Sequence, residues 1–250
     1  MTPVSRRTKP KVLQQNEVKW LKKLQEAINN LAILKQNPQT TSIELKKAQQ
    51  DVGKAQDKYR HEKIKEALVT MFHGKCAYCE SKLTHVSYGE IEHFYPKSAY
   101  PDKTFTWENL LLSCSICNNT NHKGVKFPLD DRDNPLLIDP TDGVTNPIDH
   151  LTFLWDEAAL TASVYGRDLR GQTVVDIFDL NGTRGRVDLL KMRSREVKQL
   201  MTLLKFAQHG NPEALTLLTE ACEADVPYRA FALNYIKPIL DRDYTGYALG

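Results

Sequence analysis

From residue 13 to residue 74 the apolar positions recur at intervals of three and four. Leu21, Leu24, Ile28 and Leu31 form one helical stripe, which Asn37-Pro38 ends. Thr41-x-x-Glu44 is a capping box for a second helix, and Leu45, Ala48, Val52, Ala55 and Tyr59 keep the same spacing along it. Ile64, Ala67 and Leu68 carry that stripe on toward His73-Gly74. Two amphipathic helices joined by a short turn predict a hairpin that closes each stripe against the other. Residues 75–125 differ, with few apolar groups and many turn formers, so no conventional core is expected there. The local pattern predicts a knuckle at Cys76, a strand from Gly89 to His93, a loop to Asn109, and a helix opening after Cys114-x-x-Cys117. The Pro- and Asp-rich run 127–150 reads as loop, with Asp130, Asp131 and Asp133 as solvated charges. After Leu151 helical spacing is expected to return. A short helix carries Val174, Ile177 and Phe178 and ends at Gly182; a longer one carries Val187, Leu190, Val197, Leu200, Met201 and Leu204; two more cover 212–222 and 228–240.

The expected organisation is an arm (1–12), a helical hairpin (13–74), a zinc-stabilised module (75–153) and a helical C-terminal region (154–250). The chain is thus mainly α around one small metal-held module. Its 250 residues, 41% of them hydrophobic, suffice for one large or two modest domains. No run of 18 apolar residues offers a membrane span, and the opening MTPVSRRTKPKV lacks the apolar segment of a signal peptide, so a cytoplasmic protein is expected. The net charge of +3 conceals a segregation along the chain. Residues 1–75 hold 16 Lys and Arg against 7 Asp and Glu, whereas residues 76–158 hold 6 against 13. A polyanion would therefore have to be held by the flanking helices or by a partner. The arm, with Arg6, Arg7, Lys9 and Lys11, reads as disordered until bound, and together with the hairpin as the dock for a partner protein.

Four of the five cysteines fall in two Cys-x-x-Cys pairs, Cys76/Cys79 and Cys114/Cys117. Four thiolates saturate tetrahedral Zn²⁺, so this metal would be structural and the polar residues it frames become the candidates for chemistry. His93 is suited to general base catalysis, because an imidazole with an ordinary pKa of about 6.5 can accept a proton from water near neutrality. Glu92 precedes it and would face the opposite side of an extended strand. Asn118 follows the zinc ligand Cys117, so metal geometry would fix its direction, and the tail through Asn119, Asn121 and His122 offers further donors.

An acidic-His pair, a central Asn, and an Asn or His after a Cys-x-x-Cys knuckle resemble the HNH (ββα-metal) endonucleases. The resemblance implies His93 as general base, Glu92 as metal ligand or polarising carboxylate, Asn109 as the brace of the loop between the strands, and Asn118 as the second ligand of a catalytic divalent metal, Mg²⁺ or Mn²⁺. His122 is a reserve ligand. The segments CAYCESKL, IEHFYPKS, WENLLLSCSICNN, Lys123-Gly124, FPL and LIDPTD, with His150-Leu151-Thr152-Phe153, resemble more narrowly the PtuB family. That is the HNH component of Septu-type bacterial anti-phage defence, found also as the effector of some retrons. It implies a toxic effector nuclease working with a PtuA-like ATPase and, in retron versions, a reverse transcriptase with its RNA-linked DNA. Phage DNA, host DNA and RNA such as tRNA all remain open as targets. The other reading is a zinc-stabilised adaptor that binds nucleic acid or protein without chemistry; an adaptor has no need of His93 together with Asn118.

Overall fold

The computed structural model describes residues 1–84 and 87–243. α1 (Lys11–Gln36) stops before Asn37-Pro38, and Thr41 caps α2 (Ser42–Gln56). The Thr41 hydroxyl accepts the Glu44 N–H at 3.2 Å while the Glu44 carboxylate accepts the Thr41 N–H at 2.8 Å, the expected capping box. The two helices pack side by side along their stripes. The second stripe is not one helix, contrary to the spacing. A 3₁₀ turn (Asp57–Arg60) interrupts it, and His61, whose Nδ1 accepts the Lys63 N–H at 3.1 Å, restarts the chain as α3 (Glu62–Met71).

The central hairpin pairs β1 (Glu90–His93) with β2 (Leu110–Ser113) antiparallel, Glu90 opposite Ser113 and His93 opposite Leu110. α3 packs on both strands, and α4 (Ser115–Asn118) packs on β1. This short helix forms the second knuckle itself instead of following it. The expectation of a poor core at 75–125 is overturned. Tyr78, Phe105, Trp107 and Leu110 to Leu112 are buried in one apolar cluster that also takes in Leu13, Leu24, Ile64 and Leu68. A strand buried on both faces reads as an unbroken apolar run, which is the LLL of β2.

A second correction falls after α5 (Pro147–His150). Residues 151–166 form a hairpin and not a helix: β3 (Leu151–Asp156) pairs with β4 (Thr161–Gly166), setting Phe153 opposite Val164 and Trp155 opposite Ala162. The helical pattern resumes with α6 (Leu169–Ile177), α7 (Val187–Gln208) and α8 (Pro212–Glu220). The last expected helix is broken: α9 (Arg229–Phe231) passes through a π-helical turn (Ala232–Ile236) into α10 (Lys237–Asp243). Leu204, Leu215, Leu218, Ile236 and Leu240 close a small separate core there.

The basic arm is not a loose segment. Its first residues lace across the central module, with the Met1 amine 3.2 Å from Glu80 and the Val4 N–H donating to Pro140 O at 2.8 Å. Arg6 donates to the carbonyls of Trp107, Glu108 and Leu110 at 2.9, 2.9 and 2.7 Å and also bonds Thr141. Its guanidinium is spent inside the fold, so Arg6 is a strap residue and not a docking charge.

Candidate active site

The four thiols converge. The Sγ atoms of Cys76, Cys79, Cys114 and Cys117 all lie within 4.8 Å of one another. Zn–S bonds of about 2.3 Å at tetrahedral angles place sulfurs about 3.8 Å apart, so the cluster fits zinc with minor contraction. Burial holds the Cys76 and Cys117 thiols well above their ordinary range, while hydrogen bonds from Cys114 first and then Cys117 depress Cys79. A divalent cation held among them would allow all four to be thiolates together. Backbone geometry prepares both knuckles: Glu80 takes a left-handed φ of 61°, and Cys114 caps α4 by accepting the Cys117 N–H at 3.3 Å. Sequence reasoning missed Arg186, whose Nη1 stands 3.4 Å from Cys117 Sγ. Burial opposes its charge, but Cys117, Cys79 and Cys114 outweigh that and raise its pKa.

His93 ends β1, 6% exposed. Its Nε2 lies 2.9 Å from Thr104 O, which fixes the Nε2–H tautomer, since a carbonyl can only accept. Nδ1 has no hydrogen-bond partner among the described residues. The ring meets Tyr59 edge-on at 4.5 Å between centroids. Burial lowers its pKa to about 4, so the imidazole is neutral at physiological pH. Asn109 ties the two ends of the 94–109 loop together through its side-chain amide. Its Oδ1 accepts the Tyr95 N–H at 2.7 Å, and its Nδ2 donates to Tyr95 O and Lys103 O at 3.1 and 3.0 Å. The Thr104 carbonyl that holds His93 sits in this same loop.

Glu92 and His93 point to opposite faces of β1. Glu92 is buried in an ion pair with Lys123, whose Nζ lies 2.5 Å from Oε1 and 2.8 Å from His93 O. Burial raises the Glu92 pKa against the pull of Lys123 and lowers that of Lys123 against the pull of Glu92, so the pairing only partly offsets the cost of burying the two charges. Asn118 does approach β1, but its partner is Glu90: Nδ2 donates to Glu90 Oε2 at 2.7 Å. The strand period of two puts Glu90 and Glu92 on one face, a signal in the sequence that marks Glu90 as a further candidate. Glu90, Glu92 and Asn118 are hard oxygen donors of the kind that bind Mg²⁺ through one or two carboxylates plus substrate phosphate. That donor set fits a catalytic divalent cation. Among the described residues, the four cysteines form the single cluster of three or more Cys, His, Asp or Glu at metal-binding distance.

The reserve candidates lie elsewhere. His122 bonds Asn119 Oδ1 through Nδ1 at 3.1 Å. His150 pairs with Asp168, the N-cap of α6, in a packing contact. Among the described residues no helix is long and apolar enough to cross a membrane.

Comparison with known proteins matches the same region of the chain. The HNH endonuclease family model matches residues 76–124, the span from the first knuckle to Gly124. The chain is similar to a Septu protein PtuB of Bacillus thuringiensis, 35% identical over 150 residues that cover 59% of this chain and 53% of the relative. It is also similar to a Septu protein PtuB of Bacillus mycoides (strain KBAB4), 38% identical over 120 residues covering 38% of this chain and 40% of the relative. The chain thus spans about half the length, or less, of these relatives. No solved structure matches it.

Proposed function

We propose that this chain is a metal-dependent HNH endonuclease, the effector of a Septu-type anti-phage defence system, with His93 as its general base. The observation that carries the reading is the His93 imidazole: neutral, held by Thr104 through Nε2, with Nδ1 left to take a proton. It rides on a hairpin whose far end is tied to the thiol cluster. An adaptor would gain nothing from a buried, single-tautomer histidine.

In the reaction, His93 Nδ1 removes a proton from water as the oxygen attacks phosphorus, and the P–O bond to the leaving oxygen breaks. Glu90 and Asn118, with Glu92 if Lys123 yields it, would hold the divalent cation, which supplies charge stabilisation to the scissile phosphate and the leaving oxygen. Asn109 acts through its loop, keeping Thr104 O on His93. Lys123 holds the His93 carbonyl and so the end of β1. The resemblance to the PtuB family supports a PtuA-like ATPase as partner, and co-purification of the two chains tests that point separately.

The test of the nuclease reading incubates the full chain, alone and with the ATPase, with plasmid, single-stranded DNA and total RNA, in Mg²⁺, Mn²⁺ or chelator. Cleavage of any of the three that needs the metal and vanishes in His93→Ala is the expected result. Binding without cleavage under every condition would favour the adaptor.

A further inference from the structure

The acidic charge of the central module poses a problem for any enzyme that must hold a phosphate backbone, and the break between α2 and α3 answers it. An open cleft of about 420 Å³ runs beside β1, lined by Tyr59, Arg60, Lys65, Gly89, Glu90, Ile91 and Asn118. One wall therefore comes from the metal face, through Glu90 and Asn118. The other comes from the N-terminal helical region, where the 3₁₀ turn Asp57–Arg60 delivers Tyr59 and Arg60.

We infer that Tyr59, Arg60 and Lys65, joined by Lys97, form the lip that holds the nucleic-acid backbone phosphates next to the scissile one. This rests on the nuclease reading above. Tyr59 is the keystone. Its ring packs edge-on against His93, the Arg60 guanidinium lies 5.6 Å over it, and the Lys97 ammonium lies 5.7 Å from its centroid. The Tyr59 hydroxyl accepts from Arg60 Nε at 3.1 Å, which directs the guanidinium fork. Arg60 is 66% exposed, and its acidic neighbour, Asp57 at 3.4 Å, is half exposed too. Such a pair is weak in water and exchanges readily for a phosphate, which an Arg fork binds bidentately. Lys97 makes no ion pair among the described residues. Lys65 donates to Gly89 O and so fastens α3 to the strand at the cleft wall. The segment 1–75, with its surplus of nine positive charges, thereby serves the module that carries a deficit of seven. Arg60 belongs to the same turn as the ring that touches His93, while Lys65 comes from α3 and Lys97 from the 94–109 loop.

The experiment measures binding in the full chain carrying His93→Ala, so that no probe is cut. Labelled duplex DNA, single-stranded DNA and RNA of equal length are titrated by fluorescence anisotropy across a salt series. Arg60→Gln and Lys97→Gln together should raise Kd about tenfold and flatten the log Kd against log salt slope by one to two, because each lost phosphate contact removes about one released counterion. The probe with the largest change identifies the strand type the lip fits. On the cleaving background the same pair should raise KM while kcat stays within about threefold, a split that a folding defect does not produce. Lys191→Gln, at a position that does not line this cleft, is the control and should leave both unchanged. Unaltered Kd and slope on all three probes would overturn the lip, as would a His93→Ala protein that binds none of them. Cleavage by the parent chain with unaltered variant binding removes the lip and leaves the nuclease. Weakened variant binding with no cleavage anywhere removes the nuclease and leaves a phosphate-binding lip.

Discussion

Asp179 takes a left-handed φ of 45°, and its carboxylate accepts the backbone N–H groups of Thr183, Arg184 and Arg186 at 2.8, 3.0 and 3.1 Å. One side chain thereby shapes the turn that leads into α7 and presents Arg186 to the thiols. Burial works to raise its pKa, but the backbone donors outweigh that and lower it below the ordinary value of 3.8. The sign follows from linkage: a depressed folded pKa gives stability that is complete above 3.8 and lost as pH falls through the lower folded value. Asp179→Asn should therefore destabilise the chain by about 2 kcal/mol at neutral pH. Denaturant titrations should find that gap constant above pH 3.8 and closing below it. Arg186 is the companion case. Its loss leaves the thiolate cluster without its buried cation, so Arg186→Met should weaken zinc binding about tenfold to a hundredfold in a chelator competition. Unchanged zinc affinity would mean that the 3.4 Å approach to Cys117 has no electrostatic consequence.

Among the elements, the two knuckles and the β1–β2 hairpin meet at the thiol cluster, where a bound zinc would fix their relation to each other. Replacing any one of Cys76, Cys79, Cys114 or Cys117 by Ser should release zinc and loosen the hairpin, with metal content by mass spectrometry and near-UV circular dichroism as readouts. The buried LLL run and Trp107 make this collapse partial, because much of the surrounding core is apolar and independent of the metal. The β3–β4 hairpin and α6 meet under a different constraint. A Cβ on Gly171 would sit 1.9 Å from the His150 carbonyl oxygen, which no rotamer change can relieve, since the backbone fixes the position of the Cβ and the oxygen is itself backbone. Gly171→Ala should cost about 3 kcal/mol or more, seen as a drop in Tm of several degrees. A stability equal to the parent would mean that α6 can shift away from α5 freely.

For the molecule as a whole, the N-terminal strap makes one core of segments that the sequence pattern separates. Arg6 spans Trp107, Glu108, Leu110 and Thr141, and lies 3.8 Å from Asp139. Arg6→Ala would strand several carbonyls and the buried Asp139 carboxylate, so a loss of about 3 kcal/mol in urea unfolding is expected. Arg7, Lys9 and Lys11 are the arm positions at which charge reversal tests partner docking without opening the core. Retained folding with lost co-purification of an ATPase would assign the arm to docking. Retained folding and assembly would move the dock elsewhere.

Periodicity and spacing alone determined the first helix to within a few residues, the start of the second with its capping box at Thr41, the strand carrying His93, and the pairing of the four thiols. Each rests on a local rule: a helical period, a cap three residues long, ligand pairs separated by two. The reading of Asn109 as a loop brace came from the resemblance to the HNH endonucleases and not from spacing. Tertiary structure alone decided what depends on contacts across the chain. The 3₁₀ break at Tyr59, whose ring packs on His93, cannot be told in the sequence from a continuous stripe. The arm reads as disordered until the carbonyls that Arg6 satisfies, a hundred residues away, are brought to it. The β3–β4 hairpin is short enough that its alternation competes with helical spacing, and its pairing with a neighbour settles the matter. Glu90 takes the place of Glu92 as the partner of Asn118, and Lys123, thirty-one residues after Glu92, holds Glu92 in a buried ion pair on that same face of the strand.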